Sequence, residues 1–470
     1  MGGSRHLTCD EEGAAVTERT LMDRSMMDRS VTRRSALLSG LALAGLPALA
    51  ACGAGSGEGT TKIAGLQPLT VTATRTKIEL AAVQDLPSVV AGIRHFGAAF
   101  YRANATMDAN FTASPFSIAV AFGMLRAGSR GPTAAAIDTA FGFPTGTSAS
   151  GAVHPALNAL TANLVTSQPV STAPAPTASG RPRDPIVAIA NALFLQQGFA
   201  PAVRHDFLEL LATQYGSNPI GVDFTDPKAA AATINAWVAR QTRDRIKKLF
   251  DSLDPSTVLV LANAIYLKAD WALQFDRAAT KDDPFSAPTG TVTAPMMNQT
   301  LENAAYSAGD GWQGVAIPYA GGQLSMRVVV PTRPATDLVV LATAMDAALD
   351  THTPGSTAGV TLTLPRWNTA SNLELGSALA RVGLTVPFSA RADFSGIAPN
   401  LHIDQAVHRA NITVDELGTE AAAVTGIGMA TSASARQVVV RADRPFAWAI
   451  VHDPTGTPLF TGHVVNPVAQ

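Results

Sequence analysis

Asn411-Ile412-Thr413-Val414-Asp415-Glu416-Leu417-Gly418-Thr419-Glu420-Ala421-Ala422-Ala423-Val424-Thr425 carries more information than the rest of the chain together. Ile412 and Val414 alternate with Thr413 and Asp415, the pattern of a half-buried strand, and the alternation runs into Gly418. Beyond the glycine the residues are small or β-branched, without proline. Gly426 to Arg436 then reads as an exposed loop. Were 419–427 to become a strand, its period of two would put Thr419, Ala421, Ala423, Thr425 and Ile427 on one face, and Glu420, Ala422 and Val424 on the other. The first face carries no charge and is mostly small, fit to slide between neighbouring strands. An Ala/Ser/Thr/Gly linker has a similar composition. Strand-like sequence on both sides, resuming at Val438-Val439-Val440, argues instead for a loop that can be taken up as a strand.

Working outward, the chain continues into Arg444-Pro445-Phe446, Leu459-Phe460-Thr461-Gly462 and Val465-Asn466-Pro467. Glu416-Leu417-Gly418-Thr419-Glu420-Ala421-Ala422-Ala423 resembles the hinge of the serpins, and the later runs resemble their C-terminal signature. Ser114-Pro115-Phe116-Ser117-Ile118, Asn191-Ala192-Leu193-Phe194 and Asn263-Ala264-Ile265-Tyr266 with Trp271 and Phe275 follow the order of that family. So do Pro295-Met296-Met297, Leu324-Ser325-Met326, Leu364-Pro365-Arg366 and Asp393-Phe394-Ser395-Gly396-Ile397. The resemblance spans residues 80–467.

The resemblance implies an α+β serpin fold, with three β-sheets, about eight or nine helices and an exposed C-terminal reactive loop. It implies a suicide substrate for serine proteases and no active site of its own. The protease acylates itself on the loop. The cleaved loop then inserts into the central sheet and carries the trapped enzyme with it; serpin loop insertion is a standard example of strand addition. The implied hinge comprises Glu416, Gly418, Thr419, Glu420, Ala421, Ala422, Ala423, Val424 and Thr425. Ser114, Ser117, Asn191 and His408 are implied as a polar shutter where strands part, and Trp271 as a breach residue at the entry point. Counting from Glu416 places the scissile bond at Ser432–Ala433, with Met429 and Arg436 as alternatives. Small residues at Thr431, Ser432 and Ala433 suit the shallow pockets of elastase-like or subtilisin-like proteases. The other reading is a non-inhibitory binding module whose loop is a plain protease substrate.

With 470 residues and 47% apolar residues, the chain can form one large α+β unit with a tail. A formal charge of −2 argues against nucleic acid as a partner. The densest basic run is Arg240, Arg243, Arg245, Lys247 and Lys248. It follows Ile234, Trp237 and Val238 at helical spacing and is expected as a solvated helix face. The nine histidines have no metal-ligand spacing, and neither a phosphate-binding glycine loop nor a Gly-x-Ser-x-Gly elbow is present. No cofactor, no metal and no enzymatic activity are expected; a monomer is.

The two cysteines, Cys9 and Cys52, cannot make a disulfide framework. Arg33-Arg34 precede an apolar run from Ala36 to Ala51, and Leu49-Ala50-Ala51-Cys52 resembles a bacterial lipoprotein cleavage box. Thr32-Arg33-Arg34-Ser35 also fits twin-arginine export. Residues 1–51 are therefore expected as leader and signal peptide. Residues 52–79 would be a lipidated Cys52 with a flexible linker, and 80–470 the folded domain. A lipid on Cys52 would tether the chain to the outer face of a membrane, the alternative being secretion.

A helix is expected from about Val89 past Phe100, and another after Asp226-Pro227, where the carboxylate caps and the proline suits the first turn. Residues 167–185 read as a surface insertion. Short strands are expected at Val258–Ile265, Gln323–Val330, Val360–Leu364 and after 437.

Overall fold

The computed structural model describes residues 65–145, 149–164, 185–350, 356–419 and 437–469. Two compact units divide the chain at Thr60/Thr61. The second unit holds every described residue. Its strands are β1 (Gln67–Pro68), β2 (Phe111–Ala113), β3 (Ile186–Gln196), β4 (Ile220–Val222), β5 (Leu259–Asp270), β6 (Lys281–Ala287), β7 (Gly290–Gly309) and β8 (Trp312–Pro318). They continue with β9 (Leu324–Pro331), β10 (Ser356–Pro365), β11 (Trp367–Glu374), β12 (Gln405–Asp415), β13 (Gly418–Thr419), β14 (Gln437–Arg441), β15 (Phe446–His452) and β16 (Thr457–Val464). The α-helices are α1 (Leu86–Asn104), α2 (Pro115–Gly128), α3 (Gly131–Phe141), α4 (Ala149–Leu164), α5 (His205–Leu210), α6 (Pro227–Gln241), α7 (Leu338–Leu349) and α8 (Leu375–Ala380).

The central sheet runs β1-β4-β3-β5-β13-β12-β11, and β5 also pairs directly with β12. The remaining strands form one hydrogen-bonded path, β14-β10-β7-β8-β9-β15-β16-β2, with β6 on β7. The long β7 serves three neighbours in turn: Gly290–Met296 pair with β6, Met296–Tyr306 with β10 and Ala305–Gly309 with β8.

Pro115 at the first turn and Ser114, whose side chain accepts from the Ser117 amide, start α2. This helix is apolar on nearly all sides and buried between the central sheet and β16. The principal core lies around it, with Phe116, Phe122, Leu261, Ile265, Leu267 and Phe460 all fully buried. A second core covers the opposite face of the central sheet, where Ile234 and Val238 of α6 meet Ala262 and Ala264 of β5. Asp226 caps α6 by accepting from the Ala229 amide, as its sequence implies.

Two expectations change. The basic run is not a helix face: α6 stops at Gln241, and Arg243 and Asp244 adopt positive φ. Arg243, Arg245, Lys247 and Lys248 therefore lie on the loop that follows. The packed unit also reaches N-terminal of Leu80. Gln67 pairs with Gly221, the Thr76 amide donates to the Thr213 carbonyl, and Arg75 donates to the Asn158 carbonyl. The surface insertion expected at 167–185 falls, apart from its last residue, outside the described residues.

Candidate functional site: a hinge above a closed pair of strands

β5 and β12 lie side by side in parallel from Gln405↔Val260 to Ala410↔Ile265. Above that pairing they part, and β13 enters between them. Thr419 is partnered by Val414 on one side and Ala269 on the other, antiparallel to both; Gly418 is partnered by Asp415 and Asp270. The turn that reverses the chain is built locally: the Asp415 carboxylate accepts from the Leu417 and Gly418 amides at 2.8 and 3.2 Å. Gly418 has φ +148°, and a Cβ there would sit 2.1 Å from the Ala269 carbonyl oxygen. Only glycine fits between the strands at that point.

Trp271 is fully buried beside this turn. Its amide donates to the Leu417 carbonyl and its Nε1 to the Asp415 carbonyl, at 2.8 and 2.9 Å. The indole stacks on Tyr319 at 4.5 Å, and the Tyr319 hydroxyl meets Thr419 Oγ1 at 2.8 Å. Glu416, 1% exposed, accepts from Arg366 Nε at 2.8 Å and from Thr280. Burial works to raise its pKa, but these hydrogen bonds outweigh it and hold the carboxyl below its usual value.

The residues implied as the shutter meet lower down, where β3, β5, β12 and the start of α2 come together. The Ser114 amide donates to His408 Nε2 at 3.0 Å, so the ring hydrogen sits on Nδ1, which faces Asn263 Oδ1. Asn263 Nδ2 donates to Ser117 O and Oγ, both at 2.8 Å, and to Asn191 Oδ1. Asn191 Nδ2 returns a bond to Ser117 O at 3.2 Å. Burial pushes the His408 pKa down to about 3, so the ring is neutral. The four implied shutter residues thus come together, with Asn263 as a fifth at the centre.

Arg366 and Thr280, which hold Glu416, and Tyr319, which holds Thr419, were not singled out from sequence. Arg366 stood in the quoted Leu364-Pro365-Arg366 run, but nothing local tied it to Glu416. The far end of the loop is anchored where β14 pairs with β10 in parallel, with Arg441 on Asp283 and Asp443. Glu420 to Thr425, Met429, Ser432, Ala433, Arg436 and Cys52 lie outside the described residues. Among the described residues no cluster of His, Cys, Asp or Glu could hold a metal, and no helix is long and apolar enough to cross a membrane.

A strand started between two others, poised above a polar shutter, defines the class: this chain belongs to the serpins. A family model described as Serpin (serine protease inhibitor) matches residues 91–467. An uncharacterised serpin-like protein of Thermococcus kodakarensis is 33% identical over 393 residues, covering 82% of this chain and 87% of that one. The native-state structure of tengpin, a thermophilic serpin, superposes with a TM-score of 0.71 at 22% identity, over 84% of this chain and 97% of that one. Thyroxine-binding globulin in complex with thyroxine gives 0.68 at 26% identity, over 82% and 100%. The family is thus one of protease inhibitors that also includes a hormone-binding member.

Proposed function

We propose that this chain inhibits serine proteases as a suicide substrate, its cleaved loop completing the strand that β13 begins. Because the fold also serves a thyroxine-binding relative, the fold alone does not select this reading. The observation that carries it is the register of β13. Each residue after Thr419 would step one position down both neighbours. Ala421 would meet Leu267 and Ile412, Ala423 would meet Ile265 and Ala410, and Thr425 would meet Asn263 and His408. The neighbours at these positions, Leu267, Ile265, Asn263 and His408, are buried, so the small uncharged face fits the core side. Glu420 would fall on the other face, opposite Lys268 and Thr413. Insertion as far as Gly428 replaces every pair β5 and β12 now make, giving the new strand a ladder on both sides.

The scissile bond is proposed at Ser432–Ala433, with elastase-like or subtilisin-like enzymes as targets. The test is incubation with elastase-like, subtilisin-like, chymotrypsin-like and trypsin-like proteases, followed by denaturing gels and mass spectrometry. A band surviving at the summed mass supports trapping and locates the bond. Clean cleavage by every enzyme, with no stable complex and no rise in thermal stability, overturns the reading in favour of a plain substrate.

We also propose that the mature chain begins at a lipidated Cys52 on the outer face of a membrane, with 53–62 as spacer. Cys52→Ala should move the protein from the detergent phase to the aqueous phase on phase separation. An unchanged distribution would remove the anchor.

A further inference from the structure

The first described residues lie against α6. A Cβ added to Gly65 would fall 3.3 Å from Thr233 Oγ1, and Leu66 packs with Trp237 on the second core. Thr233 is seven residues before Arg240, about 10 Å along the helix axis, so the chain enters the fold beside the basic loop. From Pro227 to Gln241 the helix has no carboxylate, and its exposed residues are Lys228, Ala229, Ala232, Ala236, Arg240 and Gln241. Residues 240–251 hold five cations and two carboxylates, in a chain whose formal charge is −2. Arg240, Arg245, Lys247 and Lys248 are exposed, and Arg243 is half-buried. One carboxylate, Asp251, is taken by Lys248; the other is Asp244. Among the described residues the side chains of Arg243 and Lys247 have neither an ion pair nor a hydrogen bond. A helix C-terminus attracts cations, but only Arg240 lies in the last turn of α6, and the others stand beyond it.

We propose that this face, α6 with the loop after it, lies against anionic lipid headgroups when the chain is tethered at Cys52. The inference rests on the lipidated Cys52 proposed above, and adds which side of the folded unit meets the membrane. Gly65 is thirteen residues after Cys52, at most about 45 Å of chain even when fully extended. That is less than the width of a folded unit of this size, roughly 55 Å. The side opposite the point of entry therefore cannot reach the bilayer while the tether is engaged, whereas the α6 side can. There the small exposed alanines let the helix approach closely, and the cations come within a Debye length, about 8 Å, of the lipid phosphates. A dissolved polyanion would meet the same charges, but only a membrane accounts for their gathering beside the entry of a tethered chain.

The test uses the full chain with Cys52→Ala, which carries no lipid, so that the face is measured apart from the anchor. Vesicles of phosphatidylcholine and phosphatidylglycerol should bind it. Arg243→Gln, Lys247→Gln and Lys248→Gln together should weaken that binding about a hundredfold, near fivefold for each cation removed. With Cys9→Ala as well, a fluorophore on Ala236→Cys of α6 should shift to the blue on these vesicles. The same fluorophore on Val339→Cys of α7, which is 71% exposed and lies across the central sheet, should not. Half-molar salt should abolish both effects. Equal binding by the triple variant, or a shift no larger at Ala236 than at Val339, overturns the proposal. So does binding of dissolved polyphosphate with none to the vesicles, which would make the loop a polymer site. An unchanged phase distribution on Cys52→Ala would by contrast overturn the tether and not the lipid-binding face.

Discussion

The Ser114 amide and His408 Nε2 lie 3.0 Å apart, and this bond fixes the ring as the Nδ1–H tautomer that Asn263 accepts. A protonated ring would turn Nε2 from an acceptor into a donor facing another donor. The bond that seats α2 against β12 is therefore one that acid breaks.

Its consequence is a pH dependence with a definite sign. The His408 pKa is lowered from 6.5 to about 3, so its contribution to stability is complete above 6.5 and is lost as pH falls toward 3. Each pH unit in that window costs about 1.4 kcal/mol for each such group. His154, His452 and His463, each lowered to about 4, act in the same direction. The urea midpoint of the native chain should fall between pH 6.5 and 4. His408→Gln should make that fall shallower by one proton; equal slopes would show that His408 is not the sensor.

Thr419→Arg tests the hinge. Thr419 is fully buried against Tyr319, and an arginine there must carry its charge into the same space. Loop cleavage should persist at its normal rate while the trapped complex falls by at least about tenfold. A variant that still traps protease normally would refute insertion from this register.

Arg366→Met removes the guanidinium from a carboxylate that is 1% exposed. Breaking one side of a buried pair leaves the other charge uncompensated, about 2 kcal/mol here, because water reaches the half-exposed arginine end. The native midpoint should fall, and Arg366→Met with Glu416→Gln should recover part of it. The Glu416 contribution is present above pH 4.5 and lost as pH drops through its lowered folded pKa, so the single variant should differ most at neutral pH. Losses that simply add in the double variant would show the pair is not coupled.

How far such a site can be read from sequence depends on the range of the interaction. The turn at Gly418 was legible because its constraint is local: the chain must reverse where no Cβ fits. Ser114 and Ser117 came from the family resemblance; their local role, a cap accepting from the Ser117 amide at the start of α2, shows only in the structure. Asn263 as the centre of the shutter was not legible, because its partners come from α2, β3 and β12. Nor was Arg366 with Glu416, a pairing made only when β10, β11 and β12 come together. The end of α6 was misread because basic residues solvate a loop as well as a helix; the break lies in the positive φ of Arg243 and Asp244.

That loop after α6 leads to a prediction about rate. It touches both strands that the proposed insertion would separate: Arg245 lies over the Tyr266 ring of β5 at 5.9 Å, and the Lys248 carbonyl accepts from Arg409 of β12. Asn235 of α6 holds the same loop through the Leu249 and Phe250 amides, at 2.7 and 3.1 Å. In the proposed insertion Val424 would pass Arg409, and the loop would then act as a strap across the closed pair. Removing one tie weakens the native state by about 1 kcal/mol and, if the tie is lost before the transition state, speeds insertion about fivefold. Arg409→Ala should therefore lower the urea midpoint yet raise the ratio of trapped to hydrolysed protease. A lower midpoint with an unchanged ratio would mean that the strap stabilises the fold but does not limit the opening of the sheet.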